Sequence, residues 1–259
     1  MPELPEVERA KRLVERAAVG KLIVDLLLLH PSLVRRVPAD RVERAKGRRI
    51  VAVERRGKHQ RLHLDDGAAI EVHFIMTGDW EILAAGAVEP AHVRASIVLD
   101  DGSRVALVDP RALGKLTVVE PGVTTLPLLG PEPFDDAFDA AYLRKALSKR
   151  RGPIKPALLD QRIVAGVGNI YAAEALWAAK ISPKAVASRL SEARLGTLVN
   201  AIRSVLRRSP AARYTDDARS ARWRVYDREG KKCARCRGRI KRIVQAGRST
   251  YYCPTCQKR

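Results

Sequence analysis

The four cysteines of this chain, Cys233, Cys236, Cys253 and Cys256, read C-x2-C-x16-C-x2-C. Thiolates in two close pairs suit one tetrahedral zinc ion, with the segment between the pairs folding as a hairpin. RIKRIV and RSTYYC flank the glycine-containing stretch QAG and supply the two strands and the turn. Disulfides are the competing chemistry. They fit poorly, because a chain of 259 residues is large enough to fold without such staples. A zinc held by four cysteines supports a fold rather than a reaction. The basic side chains of the finger, not its metal, are therefore expected to meet a partner.

Two further stretches could do chemistry. In GVGNIYAAEALWAAK, Gly166 and Gly168 free the backbone just ahead of a helix, and Asn169 stands at its start. Helix N–H groups and the positive dipole end then suit a phosphate, although Asn169 as a plain N-cap is the simpler alternative. The chain opens MPELPEVE, with acids at Glu3, Glu6 and Glu8. VERAKRLVERAAVGK continues as a helix. Pro5 fits its first turn, and Glu6 and Glu8 suit its positive end. Pro2 and Glu3 precede it, and helix chemistry gives no reason for them.

The elements that must position these residues fall into three parts. Residues 21–120 carry eight short apolar stretches, among them KLIVDLLLL, QRLHLDDG, RASIVLDDG and KLTVVEPG. They recur about every ten residues with Gly or Asp-Gly turns, the pattern of a β-sandwich or barrel. PGVTTLPLLGPEP reads as a linker. Helical patterns follow in DDAFDAAYLRKALSKR, PIKPALLDQ, NIYAAEALWAAK and LSEARLGTLVNAIRSVLRR. The expected class is α+β with several domains. A catalytic helix-plus-sandwich domain covers 1–127, a helical domain 128–225 and the zinc finger 226–259.

Composition limits the partner. The formal charge is +20 with a pI near 10.4, which points to a polyanion, nucleic acid by default. Residues 201–259 hold 18 Lys and Arg against four Asp and Glu, so the surplus is clustered. No apolar run reaches membrane-spanning length, and the opening residues do not read as a secretory signal. The cytoplasm, at the nucleoid, is the expected location.

Taken in order, MPELPEVE, RRGKH (55–59), HFIMTG (73–78), DPRALG (109–114), DQRIVAGVGNIYAAEALW (160–177) and the cysteine-containing finish resemble the formamidopyrimidine-DNA glycosylase and endonuclease VIII family. The opening and the finger look closer to the formamidopyrimidine branch. The resemblance implies a base-excision-repair enzyme, a monomer acting on damaged double-stranded DNA, with glycosylase and abasic-site lyase activities and one structural zinc. It implies that Met1 is removed and that Pro2 then offers a secondary amine. An α-amine has a pKa of about 8, so part of it is an unprotonated nucleophile at neutral pH. Glu3 would shuttle protons, Glu6 would position the N-terminus, and Lys58 would bind the phosphate near the lesion. Glu8 remains a solvated helix residue. Asn169 and Arg248 match residues that grip phosphates beside the flipped nucleotide. Met76, Arg111 and Leu113 match the side chains inserted into the vacated space, and His73 and His92 would approach the DNA backbone.

Two departures bear on substrate choice. The family's usual phenylalanine wedge is Leu113 here, which fills space but stacks less well. Residues 209–227 are shorter than the glycine-rich loop that family members excising 8-oxoguanine close over the flipped base. The expectation is intact chemistry with a preference for ring-opened purines, further-oxidised purines or abasic sites. A catalytically inactive DNA-binding protein of the same fold is the alternative, but it would have no need of Pro2, Glu3 and Lys58 together. A zinc-ribbon RNA partner explains charge and cysteines but not MPELPEVE. Only 5% of residues are aromatic, few for stacking single-stranded bases.

Overall fold

The computed structural model describes residues 1–209 and 223–258, which divide into two compact units at residues 127 and 128. The first unit runs α1 (Leu4–Ala18), β1 (Ile23–Leu28), α2 (Pro31–Val34), α3 (Ala39–Ala45), β2 (Ile50–Arg56), β3 (His59–Leu64), β4 (Ala69–His73), β5 (Asp79–Leu83), β6 (Val93–Leu99), β7 (Arg104–Val108) and β8 (Lys115–Val119). All eight expected strands form. They pair antiparallel in two four-stranded sheets, β1-β6-β7-β5 and β2-β3-β4-β8. The short helices α2 and α3 were not expected, because HPSLVRRVPADRVERAK is too short between its prolines to show a helical period.

Alternation builds the sandwich. Along the second sheet Leu62, Leu64, Ile70, Val72, Leu116 and Val118 join the core, while His59, Arg61, Glu71, His73, Lys115 and Thr117 occupy the opposite face. In α1, Val7, Ala10, Val14 and Ala18 share one stripe and are fully buried in the same cluster. Each large apolar side chain so buried contributes about 1.5–3 kcal/mol. The stripe holds α1 against β2, β3, β5 and β7.

The second unit contains α4 (Ala140–Leu147), α5 (Ile154–Leu159), α6 (Asn169–Ala178), a 3-10 turn (Ala187–Arg189), α7 (Glu192–Arg207), and the hairpin of β9 (Lys241–Gln245) and β10 (Arg248–Tyr252). The helical pattern expected from residue 135 onward starts only at Ala140. Asp139 is the reason: its side chain accepts the Tyr142 N–H at 2.7 Å and caps the helix there. Helix α6 is buried from Ile170 to Leu176, which places it at the centre of this unit against α5, α7 and β10.

Candidate functional site

Glu3 caps α1 in extended geometry, with Pro2 immediately before it. Both are buried, Glu3 to 1% exposure. The Glu3 N–H donates to Glu6 Oε2 at 2.7 Å, which fixes the backbone that carries Pro2 and Glu3. The carboxylates lie where the helix dipole favours negative charge.

Glu8 is not a solvated residue. Its carboxylate pairs with Arg55 Nε and Arg12 Nε, each at 2.8 Å. Burial raises its pKa, but the two guanidiniums outweigh burial and hold it below the usual value. Arg55 also donates to the Gly57 carbonyl at 3.1 Å. This bridge ties the first turns of α1 to the β2–β3 turn, where Gly57 has φ +59° and Lys58 follows. Lys58 is 7% exposed, so it is not the solvated lysine of an ordinary basic turn. The next residue of α1, Arg9, donates from Nη2 to both carboxylate oxygens of Asp79, just after HFIMTG.

The loops with the expected inserting residues converge on Asp109, which is fully buried. Its carboxylate accepts N–H groups from Arg111 at 3.2 Å, Leu113 at 2.8 Å and Gly114 at 2.7 Å. It also accepts the Thr77 hydroxyl, and Thr77 adjoins Met76. One carboxylate thus fastens the Met76 loop to the Arg111–Leu113 loop. Arg94 Nε braces the Asp109 carbonyl at 2.7 Å, and the Asp109 N–H donates to the His92 carbonyl at 3.0 Å. Ile75, His92 and Ala112 all hold positive φ, so these are tightly wound loops. Leu113 is 40% exposed, Arg111 and His92 are exposed, and Met76 is half-buried. None of the four is a core residue. His73 is half-buried, with Nδ1 accepting the Ile75 N–H at 3.0 Å.

In the second unit Asn169 is not the N-cap. Gly168 takes that position, and Asn169 is the first helical residue. Its side chain is directed elsewhere: Oδ1 accepts from Lys155 Nζ at 2.5 Å, and Nδ2 donates to the Ser249 carbonyl at 3.1 Å. Lys155 is completely buried and also donates to Thr250 Oγ1 at 2.8 Å. The helix start and the hairpin are therefore held as one polar cluster, with exposed Arg248 opening β10. Sequence reading missed Lys155 and Asp109. A lysine inside the apolar run PIKPALL and an aspartate opening the turn DPRALG were the available signals.

The four cysteine sulfurs lie within 4.8 Å of one another, close to the ~3.8 Å edge of a zinc–thiolate tetrahedron. Burial opposes the Cys233 thiolate, but the Trp177 indole and the N–H groups of Arg235 and Cys236 bring its pKa down to about 6. The donor set fits one structural zinc, with Val225, Ile240 and Ala173 packed around it.

Three family models match in order. Formamidopyrimidine-DNA glycosylase N-terminal domain covers residues 1–116, formamidopyrimidine-DNA glycosylase H2TH domain 129–216, and zinc finger found in FPG and IleRS 230–259. The formamidopyrimidine-DNA glycosylase of Cereibacter sphaeroides is 40% identical over 285 aligned positions, covering 100% of both chains. A Lactococcus lactis formamidopyrimidine-DNA glycosylase bound non-covalently to abasic-site DNA superposes with TM-score 0.89 at 31% identity, covering 99% of this chain and 100% of that one. A MutM structure in complex with carbocyclic 8-oxo-G DNA gives TM-score 0.90 at 32% identity, with full coverage of both. Across its whole length, this chain belongs to the formamidopyrimidine-DNA glycosylase family.

Proposed function

We propose that this protein excises oxidised bases from duplex DNA and cleaves the resulting abasic site, with Pro2 as nucleophile and Glu3 as proton shuttle. The observation that carries this assignment is the head of α1, where Pro2 directly precedes a capping glutamate that is 1% exposed. With Met1 removed, the Pro2 nitrogen forms a bond to the sugar C1′. The C–N bond to the base breaks, and the base leaves with a proton delivered by Glu3. The Pro2 nitrogen gives up its proton, O4′ takes one up as the C1′–O4′ bond breaks, and the resulting iminium at Pro2 is an electron sink that acidifies C2′. Loss of the C2′ proton expels the 3′ phosphate, and a second elimination expels the 5′ phosphate. Lys58 binds the phosphate near the lesion. Met76, Arg111 and Leu113 fill the space left by the flipped nucleotide, offsetting the few kcal/mol that flipping costs. Asn169 and Arg248 grip the flanking phosphates.

The lesion preference we assign is for ring-opened or further-oxidised purines and abasic sites. Its support is the short 209–227 segment and Leu113; residues 210–222 lie outside the described residues. No helix among the described residues is long and apolar enough to cross a membrane, and the proposed place of action is the nucleoid.

Borohydride trapping tests this. Duplexes carrying an abasic site, 8-oxoguanine, a formamidopyrimidine or an oxidised pyrimidine are compared in parallel. A covalent adduct is expected that Pro2→Gly abolishes, weakest on 8-oxoguanine. Equal trapping on 8-oxoguanine and formamidopyrimidine would reject the lesion preference. No adduct from protein with a verified Pro2 terminus would leave a DNA-binding protein without catalysis.

A further inference from the structure

The turn that leads from α5 into α6 is irregular backbone in a buried place. Ile163 through Gly168 are all buried, so their N–H and carbonyl groups need partners inside the protein. The first half of the turn finds them in the main chain and in α4. The Ile163 and Val164 N–H groups donate to the Asp160 carbonyl at 2.8 and 3.4 Å, and the Ala165 N–H donates to the Pro131 carbonyl at 3.0 Å. The Ile163 carbonyl accepts the Tyr142 hydroxyl at 3.1 Å.

The half next to Asn169 is held by a side chain, the amide of Gln161. Its Oε1 accepts the Gly166 N–H at 2.9 Å. Its Nε2 donates to the Val167 carbonyl at 2.8 Å and to the Leu159 carbonyl at 3.2 Å. Both N–H donors and the amide oxygen are thereby used. Leu159 is the last residue of α5, and Val167 directly precedes Gly168, the N-cap of α6. One amide therefore bridges the end of one helix and the beginning of the next. The Gln161 main chain is fixed as well, because its carbonyl accepts the Gly130 N–H at 2.9 Å. A Cβ on Gly130 would lie 2.5 Å from the Arg162 carbonyl oxygen, so this approach requires glycine. Lys155 and the Ser249 carbonyl hold the Asn169 side chain. Neither touches the main chain of residues 166–168, which Gln161 holds.

We propose that Gln161 is a positioning residue for the DNA grip. Its amide fixes the turn 166–168 and, through it, the place where Asn169 meets the DNA. The role is exerted through Asn169 and rests on the grip by Asn169 proposed above.

The test uses the full-length, zinc-loaded protein and a duplex with a tetrahydrofuran abasic analogue. Gln161→Met keeps the side-chain length and removes all three hydrogen bonds. We expect it to weaken binding about tenfold. In an Asn169→Ala background the same change should cost less than about twofold, because the group being positioned is gone. In a Lys58→Ala background, which removes a contact in the other unit, it should cost its full factor again. Gln161→Asn, one methylene shorter, runs through the same cycle with the same expectation if the Met variant does not fold. Losses that multiply with Asn169→Ala, a loss that shrinks equally in both backgrounds, or wild-type binding by the Gln161 variants would each overturn the role. Asn169→Ala binding like wild type would instead remove the grip, and the proposal with it. In cleavage of an abasic duplex, Gln161→Met should raise KM while kcat stays within about twofold of wild type. A fall in kcat at unchanged KM would overturn a positioning role. If the wild type does not cleave, the lyase reading falls while the binding cycle still decides Gln161.

Discussion

Asp109 shows how much one side chain can decide. It satisfies three backbone N–H groups and the Thr77 hydroxyl at a fully buried position. Each buried donor left without an acceptor costs about 1–3 kcal/mol. Asp109→Ala should therefore lose at least about 3 kcal/mol in urea unfolding. Thr77→Val, which cuts only the link between the two loops, should lose about 1 kcal/mol. Both should slow base excision more than lyase cleavage of a preformed abasic site, because only the former requires a stacked base to be displaced. His73 supports a pH prediction at the same scale. Its pKa is near 3 in the folded chain and about 6.5 when unfolded. Between those values the unfolded chain binds more protons, so stability is complete above about pH 6.5 and declines as pH falls toward 3. Melting temperature should drop between about pH 7 and pH 4.5 more steeply in wild type than in His73→Gln.

Among the elements, α1 and α6 act as mounts. Helix α1 buries one stripe and uses Glu8 and Arg9 at its edge to hold the Lys58 turn and the start of β5. Helix α6 does the same for residues 224–226. Its Glu174 accepts N–H groups from Arg224, Val225 and Tyr226, the last two at 2.8 Å. Burial is the dominant influence and raises the Glu174 pKa despite these donors. Glu174→Ala should cost about 2–4 kcal/mol, since it strands the same N–H groups. Loss of amide protection in hydrogen exchange should be concentrated at 224–226. Uniform loss across the unit would contradict an anchoring role.

For the molecule as a whole, zinc is the largest single contribution available to the second unit. Structural zinc supplies about 10–16 kcal/mol of apparent binding free energy at neutral pH. Chelation, or Cys253→Ser, should disorder the hairpin, release the Trp177 indole from Cys233 Sγ (3.4 Å) and remove the Ser249 carbonyl from Asn169. A change in tryptophan fluorescence and a large drop in DNA affinity are expected together. Amide signals of residues 1–127 should persist, because that unit has its own core. Retained affinity after verified zinc loss would separate the finger from DNA binding.

What the sequence determined by itself was whatever depends on local order. Short apolar stretches recurring about every ten residues between Gly or Asp-Gly turns specified all eight strands, cysteine spacing specified the metal site, and the ordered motifs specified the family. What it left open were the polar partners. Glu8 reads as a solvated helix residue until Arg55, 47 positions away, is folded against it. Asn169 reads as a cap until Lys155 and a hairpin carbonyl 80 positions away claim its amide. Asp109 and Thr77 are 32 positions apart and share no pattern. The physical reason is the same in each case. Apolar burial is non-directional, so it leaves a periodic trace along the chain. A buried charge or amide must find a specific partner at hydrogen-bond distance, and only the tertiary structure decides which one it meets.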